Sequence, residues 1–272
     1  MITFPNAKIN LGLDVVEKRP DGYHNLETVF YPIPLHDILE ITKCDDEFSF
    51  TMHNAVFEGG DNDNLVVKAY NLLAEEYKIP KVRISLYKNI PTGAGMGGGS
   101  ADAAFALKML NEIAELNLCD EKLEEYAARL GADCAFFIKN KPSYATGIGN
   151  ILTPITCDLT GYYMVVVKPD VHVSTKEAYA YVNPQYPENA LAEIIKRPVE
   201  EWNGLMKNDF EKSVFAKFPS IKDVKEYLYD LGAVYASMSG SGSAFFGIFK
   251  NECNIEDIKK HFPDIFCQQW KL

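Results

Sequence analysis

The sequence lacks any surplus of positive charge. Its 272 residues contain 27 lysines and arginines against 38 aspartates and glutamates, which gives a formal net charge of −11. A nucleic-acid partner is therefore not expected, because broad neutralisation of phosphates requires a basic surface. An anionic small molecule is still an expected partner, since a few local cations and backbone N–H groups suffice to bind it.

Paired cysteines and long apolar segments are also missing. The six cysteines are scattered without a Cys-x-x-Cys pair, which argues against a zinc site and favours free thiols. The chain opens without a charged and apolar leader, and its longest apolar run, residues 162–167, is too short for a membrane span. These features predict a cytoplasmic, soluble protein without a membrane partner, a monomer or homodimer of one large domain or two modest ones.

The most informative stretch present is a glycine-rich loop. Between positions 93 and 99 five of seven residues are glycine, with a strand-like run (82–86) before them and a helix-like run after them. Glycine lets a ligand approach the backbone closely, and a helix start presents unpaired N–H groups that suit phosphate. Ser100 is predicted to cap this helix or to bind a phosphate oxygen.

Other interpretations of this loop fit less well. The spacing Gly-x-Gly-x-x-Gly matches a dinucleotide fingerprint, but the following helix leads into another helix instead of a parallel strand. A Walker A loop needs a lysine after the last glycine, and none is present. A flexible linker would not continue directly into a regular helix. The pattern favours phosphate binding by a loop that is neither Walker nor Rossmann in type.

The remaining candidates allow more than one interpretation. Alternation over residues 9–15 predicts a half-buried strand with Lys8 and Asn10 on its polar face, where a lysine is usually solvated. Asp63 is predicted to cap a helix that starts at Asn64. Asp133, beside an apolar run, suits a turn residue better than a catalytic base on local pattern alone. The small-residue loop 237–243 is either flexible or a backbone that closes on a ligand.

Three separated motifs stand in the order of a known family. They are residues 5–11 (Pro-Asn-Ala-Lys-Ile-Asn-Leu), residues 91–104 and residues 239–242 (Ser-Gly-Ser-Gly). In that order the chain resembles the GHMP kinase superfamily. The resemblance implies an α+β (two-layer α/β) GHMP kinase fold, with an ATP-binding N-terminal domain (1–158), a C-terminal substrate-side domain (159–272) and an active site in the cleft between them.

Narrower details, Arg-Pro-Asp-Gly-Tyr-His at 19–24 and Leu-Gly-Ala-Asp at 130–133, resemble one branch of that superfamily. The branch implies transfer of the ATP γ-phosphate to the 2-hydroxyl of a cytidine diphosphate-linked methylerythritol in non-mevalonate isoprenoid synthesis. Lys8 and Asp133 are then the implied catalytic pair, with Asp133 as base. The residues implied to hold the ATP phosphates are Pro91, Thr92, Gly93, Ala94, Gly95, Met96, Gly97, Gly98, Gly99, Ser100 and Ala101, with Asn64 and Lys88 at the nucleoside.

The same resemblance implies an acceptor site. Tyr23 and Tyr179 are expected to sandwich the cytosine, His24 to bond its edge, Asn10 to lie near the reacting hydroxyl, and Thr175, Ser239 and Gly240 to contact the substrate. Mg²⁺ is expected with ATP, but no acidic cluster in the sequence announces its ligands. Rival hypotheses are a superfamily kinase for mevalonate, homoserine or a sugar, a non-catalytic nucleotide sensor, and a Rossmann dehydrogenase that binds NAD.

Overall fold

The computed structural model describes residues 1–55 and 60–272, and the chain divides into two compact units. Unit 1 consists of Met1–Lys8, Pro32–Thr92 and Gly97–Lys141, and unit 2 of Ile9–Tyr31, Gly93–Met96 and Pro142–Leu272. The sequence predicted a single domain boundary at residue 158, whereas each compact unit consists of three segments that alternate along the chain. The reason is that two long strands, residues 6–18 and 24–36, each begin in one unit and end in the other.

The described residues form strands and helices in mixed order. The strands are β1 (Ile2–Thr3), β2 (Asn6–Lys18), β3 (His24–His36), β4 (Ile38–Lys43), β5 (Ser49–His53), β6 (Val82–Tyr87), β7 (Ser143–Thr146), β8 (Ile151–Pro154), β9 (Tyr163–Lys168), β10 (Tyr235–Met238), β11 (Phe245–Phe249) and β12 (Phe266–Lys271). The helices are α1 (Leu65–Glu76), α2 (Gly98–Ile113), α3 (Asp120–Leu130), α4 (Phe136–Lys139), α5 (Thr175–Ala178), α6 (Leu191–Ile194), α7 (Phe210–Lys217), α8 (Lys222–Asp230) and α9 (Ile255–His261).

Unit 1 is a sheet covered by helices. Its strand order is β1-β4-β6-β5, with β4 antiparallel to β6 and β5 parallel to it. Helix α2 packs against α1, α3, α4 and β4, and its alanine- and leucine-rich face is buried. Small side chains on α2 allow this close approach of several neighbours, which places the start of α2 at a fixed position in the unit.

Strand β2 differs from the half-buried strand that its alternation predicted. Residues Asn6 to Val16 are all buried, including Lys8, Asn10 and Asp14 on the polar face. The polar face is therefore covered as well as the apolar one, and the expectation of a solvated Lys8 is wrong. Buried polar side chains need partners because they have lost water, so this face of β2 has to carry specific contacts.

Unit 2 contains an antiparallel sheet in the order β10-β11-β9-β12. Helix α8 packs on β10 and β11, and α9 packs on β12. The remaining sheet has the order β2-β3-β7-β8. Residues 19–22 form a turn, with the N–H of Gly22 donating to the Arg19 carbonyl at 3.1 Å. It joins β2 to β3 and places Tyr23 and His24 at the start of β3.

Two predicted helix caps are displaced. Asn64, not Asp63, caps α1, and its side-chain oxygen accepts from the N–H of Val66 at 2.9 Å. Ser100 lies inside α2, whose N-cap is Gly97 in the left-handed conformation without a side-chain cap. No helix within 1–55 and 60–272 is both long and apolar enough to cross a membrane.

Candidate active site

Lys8 and Asp133 form an ion pair within unit 1. The Lys8 ammonium lies 3.2 Å from a carboxylate oxygen of Asp133. The Lys8 side chain is only 4% exposed, whereas 34% of the Asp133 side chain is open to solvent. The lysine is thus fixed from within the unit, while the carboxylate that it contacts is left accessible to a small molecule.

Asp133 owes its position to the turn after α3. Helix α3 ends at Leu130, and Gly131 follows it, with its N–H bonded to the Ala127 carbonyl. Next to Asp133, burial raises the pKa of the Cys134 thiol to about 11, an effect that the neighbouring Ser100 hydroxyl opposes by hydrogen bonding. The Cys134 thiol is therefore neutral at physiological pH.

The start of α2 lies against the Lys8 side chain. A Cβ atom placed on Gly97 would lie 3.0 Å from the Phe137 ring and 3.2 Å from Lys8 Cε, at a φ of +69°. Both the close approach and the left-handed backbone require glycine here. Because Gly97 offers no side chain as a cap, the first N–H groups of α2 stay available to an anion.

The first half of the glycine loop groups with unit 2. A Cβ on Gly95 would lie 2.1 Å from the Ser239 carbonyl oxygen, so only glycine fits this contact. The Ser239 hydroxyl donates to the Gly95 carbonyl at 2.9 Å and accepts from the Asn10 N–H at 3.2 Å. The loop 237–243 is therefore a packed turn, not a flexible segment, and it joins β2 to the glycine loop.

Asn208, which the sequence did not single out, holds this turn. Asn208 donates from its side-chain amide to the carbonyls of Met238 (2.7 Å) and Gly240 (2.9 Å). Its own amide oxygen accepts from the N–H of Phe210 at 3.0 Å. An asparagine outside any recognisable motif gives no sequence signal for such a role, because its partners are distant in the chain.

The residues expected at the acceptor include an aromatic stack. The His24 and Tyr179 rings are stacked, with centroids 4.6 Å apart, and Phe210 meets Tyr179 edge-on at 4.7 Å. Tyr23 is exposed. His24 thus stacks on the Tyr179 ring, and the sandwich of cytosine between Tyr23 and Tyr179 stays a prediction. Burial, and the charge of Lys18, lower the pKa of His24, so its ring is neutral at physiological pH.

Two other residues predicted to contact the acceptor lie at a helix start and in a hydrogen-bond network within the protein. Thr175 is the first residue of α5, directly after Ser174, which forms a capping box with Glu177. Asn10 donates from its side chain to the Thr28 hydroxyl at 2.8 Å, and that hydroxyl donates to the Gly12 carbonyl at 2.6 Å. These bonds fix the orientation of the Asn10 amide.

The two residues expected at the ATP nucleoside have strong internal contacts. The side-chain oxygen of Asn64 caps α1. Lys88 is 5% exposed, and its ammonium bonds the buried carboxylates of Asp37 and Asp102. A nucleoside contact from the Lys88 ammonium would have to break this cluster. The sequence feature that could have indicated this cluster is Asp102, a charged residue on the apolar, buried face of α2.

Magnesium ligands do not emerge from the structure. Within the described part of the chain, no group of three or more His, Cys, Asp and Glu side chains is arranged to hold a metal ion. The sequence likewise made no assignment of metal ligands.

Comparison with known proteins places this geometry in a family. The model of the GHMP kinase N-terminal domain matches residues 64–141, and that of the GHMP kinase C-terminal domain matches residues 190–266. The chain belongs to the GHMP kinase family, and its α+β fold with two family domains agrees with the sequence prediction.

Full-length relatives narrow this assignment. A protein of Bacteroides fragilis named 4-diphosphocytidyl-2-C-methyl-D-erythritol kinase is 61% identical over all of this chain and all of its own length. A protein of the same name from Bacteroides thetaiotaomicron is 55% identical over the same extent. The crystal structure of a 4-(cytidine 5'-diphospho)-2C-methyl-D-erythritol kinase superposes with a TM-score of 0.78 at 32% identity and covers 99% of this chain and 98% of that one.

Proposed function

We propose that this chain phosphorylates the 2-hydroxyl of 4-diphosphocytidyl-2-C-methyl-D-erythritol with ATP, giving the 2-phosphate and ADP, in non-mevalonate isoprenoid synthesis. The observation that carries the proposal is the contact between buried Lys8 and accessible Asp133, with Lys8 packed against Gly97. Relatives with the corresponding printed name cover the whole chain at 55–61% identity.

The proposed phosphate site is the glycine loop, residues 91–101. Phosphoryl transfer depends mainly on positioning and charge neutralisation. The backbone N–H groups of the loop can serve both purposes by binding phosphate oxygens. A Cβ on Gly99 would meet nothing within 4 Å, so this position is open to a ligand. The uncapped start of α2 adds N–H donors and the positive end of the helix dipole.

Asp133 is the proposed base. It accepts the proton of the 2-hydroxyl as the oxygen forms its bond to the γ-phosphorus and the bond from phosphorus to ADP breaks. Lys8, whose ammonium contacts the Asp133 carboxylate, stabilises negative charge on the transferred group. Its burial holds the ammonium in one place, which reduces the reorganisation needed during the reaction.

The acceptor is proposed to be held by unit 2 residues. The cytosine stacks on Tyr23 and Tyr179, and neutral His24 bonds its edge, as a ring with one donor and one acceptor nitrogen can do. Because His24 covers Tyr179 without ligand, base binding displaces His24 from the stack. Asn10 lies near the reacting hydroxyl, and Thr175, Ser239 and Gly240 complete the contacts.

Mg²⁺ is proposed to enter with ATP as part of that substrate. The described residues provide no cage of protein donors for it, whereas phosphate oxygens and water are the ligands that Mg²⁺ commonly uses. Bound there, the ion neutralises phosphate charge. Asn64 is proposed to lie at the nucleoside. The protein is also proposed to act in the cytoplasm as a monomer or homodimer, which light scattering coupled to size exclusion tests.

A turnover panel tests the function. Purified protein is supplied with MgATP and, in turn, with 4-diphosphocytidyl-2-C-methyl-D-erythritol, mevalonate, homoserine and galactose, while ADP release is followed. We expect turnover with the cytidine compound alone. Preference for another acceptor would assign the chain to a different superfamily reaction.

Two further measurements separate the remaining rivals. A nucleotide sensor would bind ATP without turning over any acceptor. A dehydrogenase would show a larger thermal shift with NAD than with MgATP, because at equal concentration the ligand with the lower Kd stabilises the folded protein more. We expect the shift with MgATP only.

A further inference from the structure

Lys88, Asp37 and Asp102 form a buried ionic cluster beneath the glycine loop in unit 1. The Lys88 ammonium donates to Asp102 at 2.6 Å and also bonds Asp37. The exposed fractions are 5% for Lys88, 0% for Asp37 and 2% for Asp102. Burial of three ionisable groups is costly unless each is paired, so the cluster calls for a functional reason.

The cluster joins both ends of the loop. The second oxygen of Asp37 accepts from the N–H groups of Asn89 (2.6 Å) and Ile90 (2.8 Å), where the loop begins. Asp102 belongs to the first turns of α2, where the loop ends. A Cβ on Gly98 would lie 3.3 Å from the Lys88 nitrogen. The Lys88 ammonium therefore binds the carboxylate that holds the loop entry and a carboxylate in the helix at the loop exit, and it lies next to Gly98.

The charges of the cluster do not balance when all three groups are ionised. One ammonium faces two carboxylates, and an oxygen of Asp102 has no hydrogen-bond partner within the described residues 1–55 and 60–272. Burial raises the pKa of Asp102, against the attraction of Lys88. Burial also pulls the pKa of Lys88 down, but the two carboxylates outweigh it and leave that pKa raised. Lys88 is therefore the charge on which the cluster depends.

We propose that Lys88 is a positioning residue whose ammonium fixes the phosphate loop through Asp37 and Asp102, and that this ammonium does not contact the nucleoside of ATP. The proposal rests on the proposed function, because it assumes that the loop binds phosphate. Loss of the ammonium strands two carboxylates and releases the two ends of the loop. The effect on ATP is then exerted through the backbone that holds its phosphates.

Substitution of Lys88 tests this through its kinetic signature. Lys88→Met keeps the length of the side chain and removes its charge. We expect KM for ATP to rise by about tenfold, the size of one lost interaction of 1.4 kcal/mol, with a smaller change in KM for the acceptor. The exposed Lys260, substituted in the same way, is the matched control and leaves both constants unchanged.

A second substitution supplies a rescue. In Lys88→Met/Asp102→Asn one of the stranded charges is gone while the shape is kept. We expect KM for ATP to fall back toward the wild-type value by about threefold or more, because an uncompensated buried charge is the main cost. This double variant also replaces Lys88→Met if the single variant does not fold. A nucleoside contact by Lys88 predicts no rescue.

The ligand can be divided to locate the effect. Inorganic tripolyphosphate and adenosine are compared as inhibitors competitive with ATP. A displaced phosphate loop weakens tripolyphosphate in Lys88→Met and leaves adenosine unchanged, whereas loss of a nucleoside contact does the reverse. The reverse pattern, or an unchanged KM for ATP, overturns the proposal.

Amide hydrogen exchange provides a readout that does not depend on the reaction. We expect faster exchange at residues 90–101 in Lys88→Met, and exchange unchanged elsewhere in α2 beyond its first turns. Failure of the wild-type protein to turn over would refute the proposed function, but faster exchange in the loop would still support the positioning role. Unaltered exchange refutes the positioning role whatever the activity.

Discussion

The ammonium of Lys8 lies 3.2 Å from the carboxylate of Asp133, with the lysine buried and the aspartate partly open. The two residues come from the start of β2 and from the turn after α3, which are far apart in sequence. The pair presents one accessible carboxylate whose charge is held by a fixed cation. It is the arrangement that a base for an alcohol requires.

Asp133→Asn should separate binding from turnover. The amide cannot take a proton, so we expect turnover to fall by about 10²- to 10⁴-fold, the usual contribution of a positioned base. Binding of MgATP, measured by calorimetry, should be retained. Asp230→Asn, at an exposed position at the end of α8, is the control and should behave as wild type. Unchanged turnover in Asp133→Asn would remove the base assignment.

Two neighbouring glycines should respond differently to alanine. Gly97→Ala meets the Phe137 ring and Lys8 at a left-handed φ, so we expect a loss of about 1–2 kcal/mol in the free energy of unfolding. Gly99→Ala meets no atom and lies inside α2, so stability should be unchanged or higher by up to about 1 kcal/mol.

The same pair of variants tests the phosphate site. The added methyl group of Gly99→Ala occupies the open space assigned to phosphate, so KM for ATP should rise although the protein is no less stable. Denaturant unfolding and steady-state kinetics give both quantities. Gly99→Ala with unaltered ATP kinetics would place the phosphates elsewhere.

Tyr179 should affect the acceptor and not ATP. Its ring stacks with His24 and packs on Phe210. Tyr179→Leu removes the aromatic face, so we expect KM for the cytidine substrate to rise by about fivefold, which corresponds to roughly 1 kcal/mol of stacking. Tyr179→Phe should lose much less. The control is Tyr181→Leu at an exposed tyrosine nearby in the chain; a change in KM for ATP alone would contradict the assignment.

Asp14 should make stability depend on pH. Burial, followed by the charge of Asp209, raises its pKa from 3.8 to about 6, against the attraction of Lys207. A carboxyl group with a raised folded-state pKa stabilises the fold below pH 4, and this contribution is lost as pH rises through 6. Asp14→Asn should therefore be more stable than wild type at pH 8, by up to about 3 kcal/mol, and equal to it near pH 3.5.

Thermal or denaturant unfolding at both pH values measures this difference. Asp45→Asn, at an exposed position, is the control and should show no comparable dependence on pH. Equal stability of wild type and Asp14→Asn at pH 8 would show that the Asp14 carboxylate is not penalised in the fold.

The local sequence pattern predicted where helices and strands lie more accurately than it predicted how deeply they are buried. The helix expected after residue 63, the helix after the glycine loop and the further helix beyond it are present as α1, α2 and α3. The half-buried strand at residues 9–15 is instead covered on both faces. Alternation reports which residues prefer water, but it cannot report which neighbouring element covers the polar face, because that element comes from elsewhere in the chain.

The exact starts of helices and the partners of side chains were likewise decided by tertiary packing and not by local pattern. Asp63 and Ser100 are both good caps by type, yet Asn64 and Gly97 stand at the caps. Propensity ranks residues at a cap, but packing decides where the helix begins. The expectation that Lys88 lies at a ligand came from the family resemblance alone. In the structure its ammonium bonds two carboxylates from other parts of the chain.

The sequence by itself determined the chemistry that this protein carries: an amide-rich glycine turn, a lysine, a carboxylate and two aromatic positions, in the order of one family. These properties follow from residue type and local spacing. Only the tertiary structure decided that Lys8 meets Asp133, that Ser239 closes on Gly95, and that Lys88 lies beneath the loop. Such contacts depend on packing between segments far apart in the chain, and no local pattern encodes the distance between them.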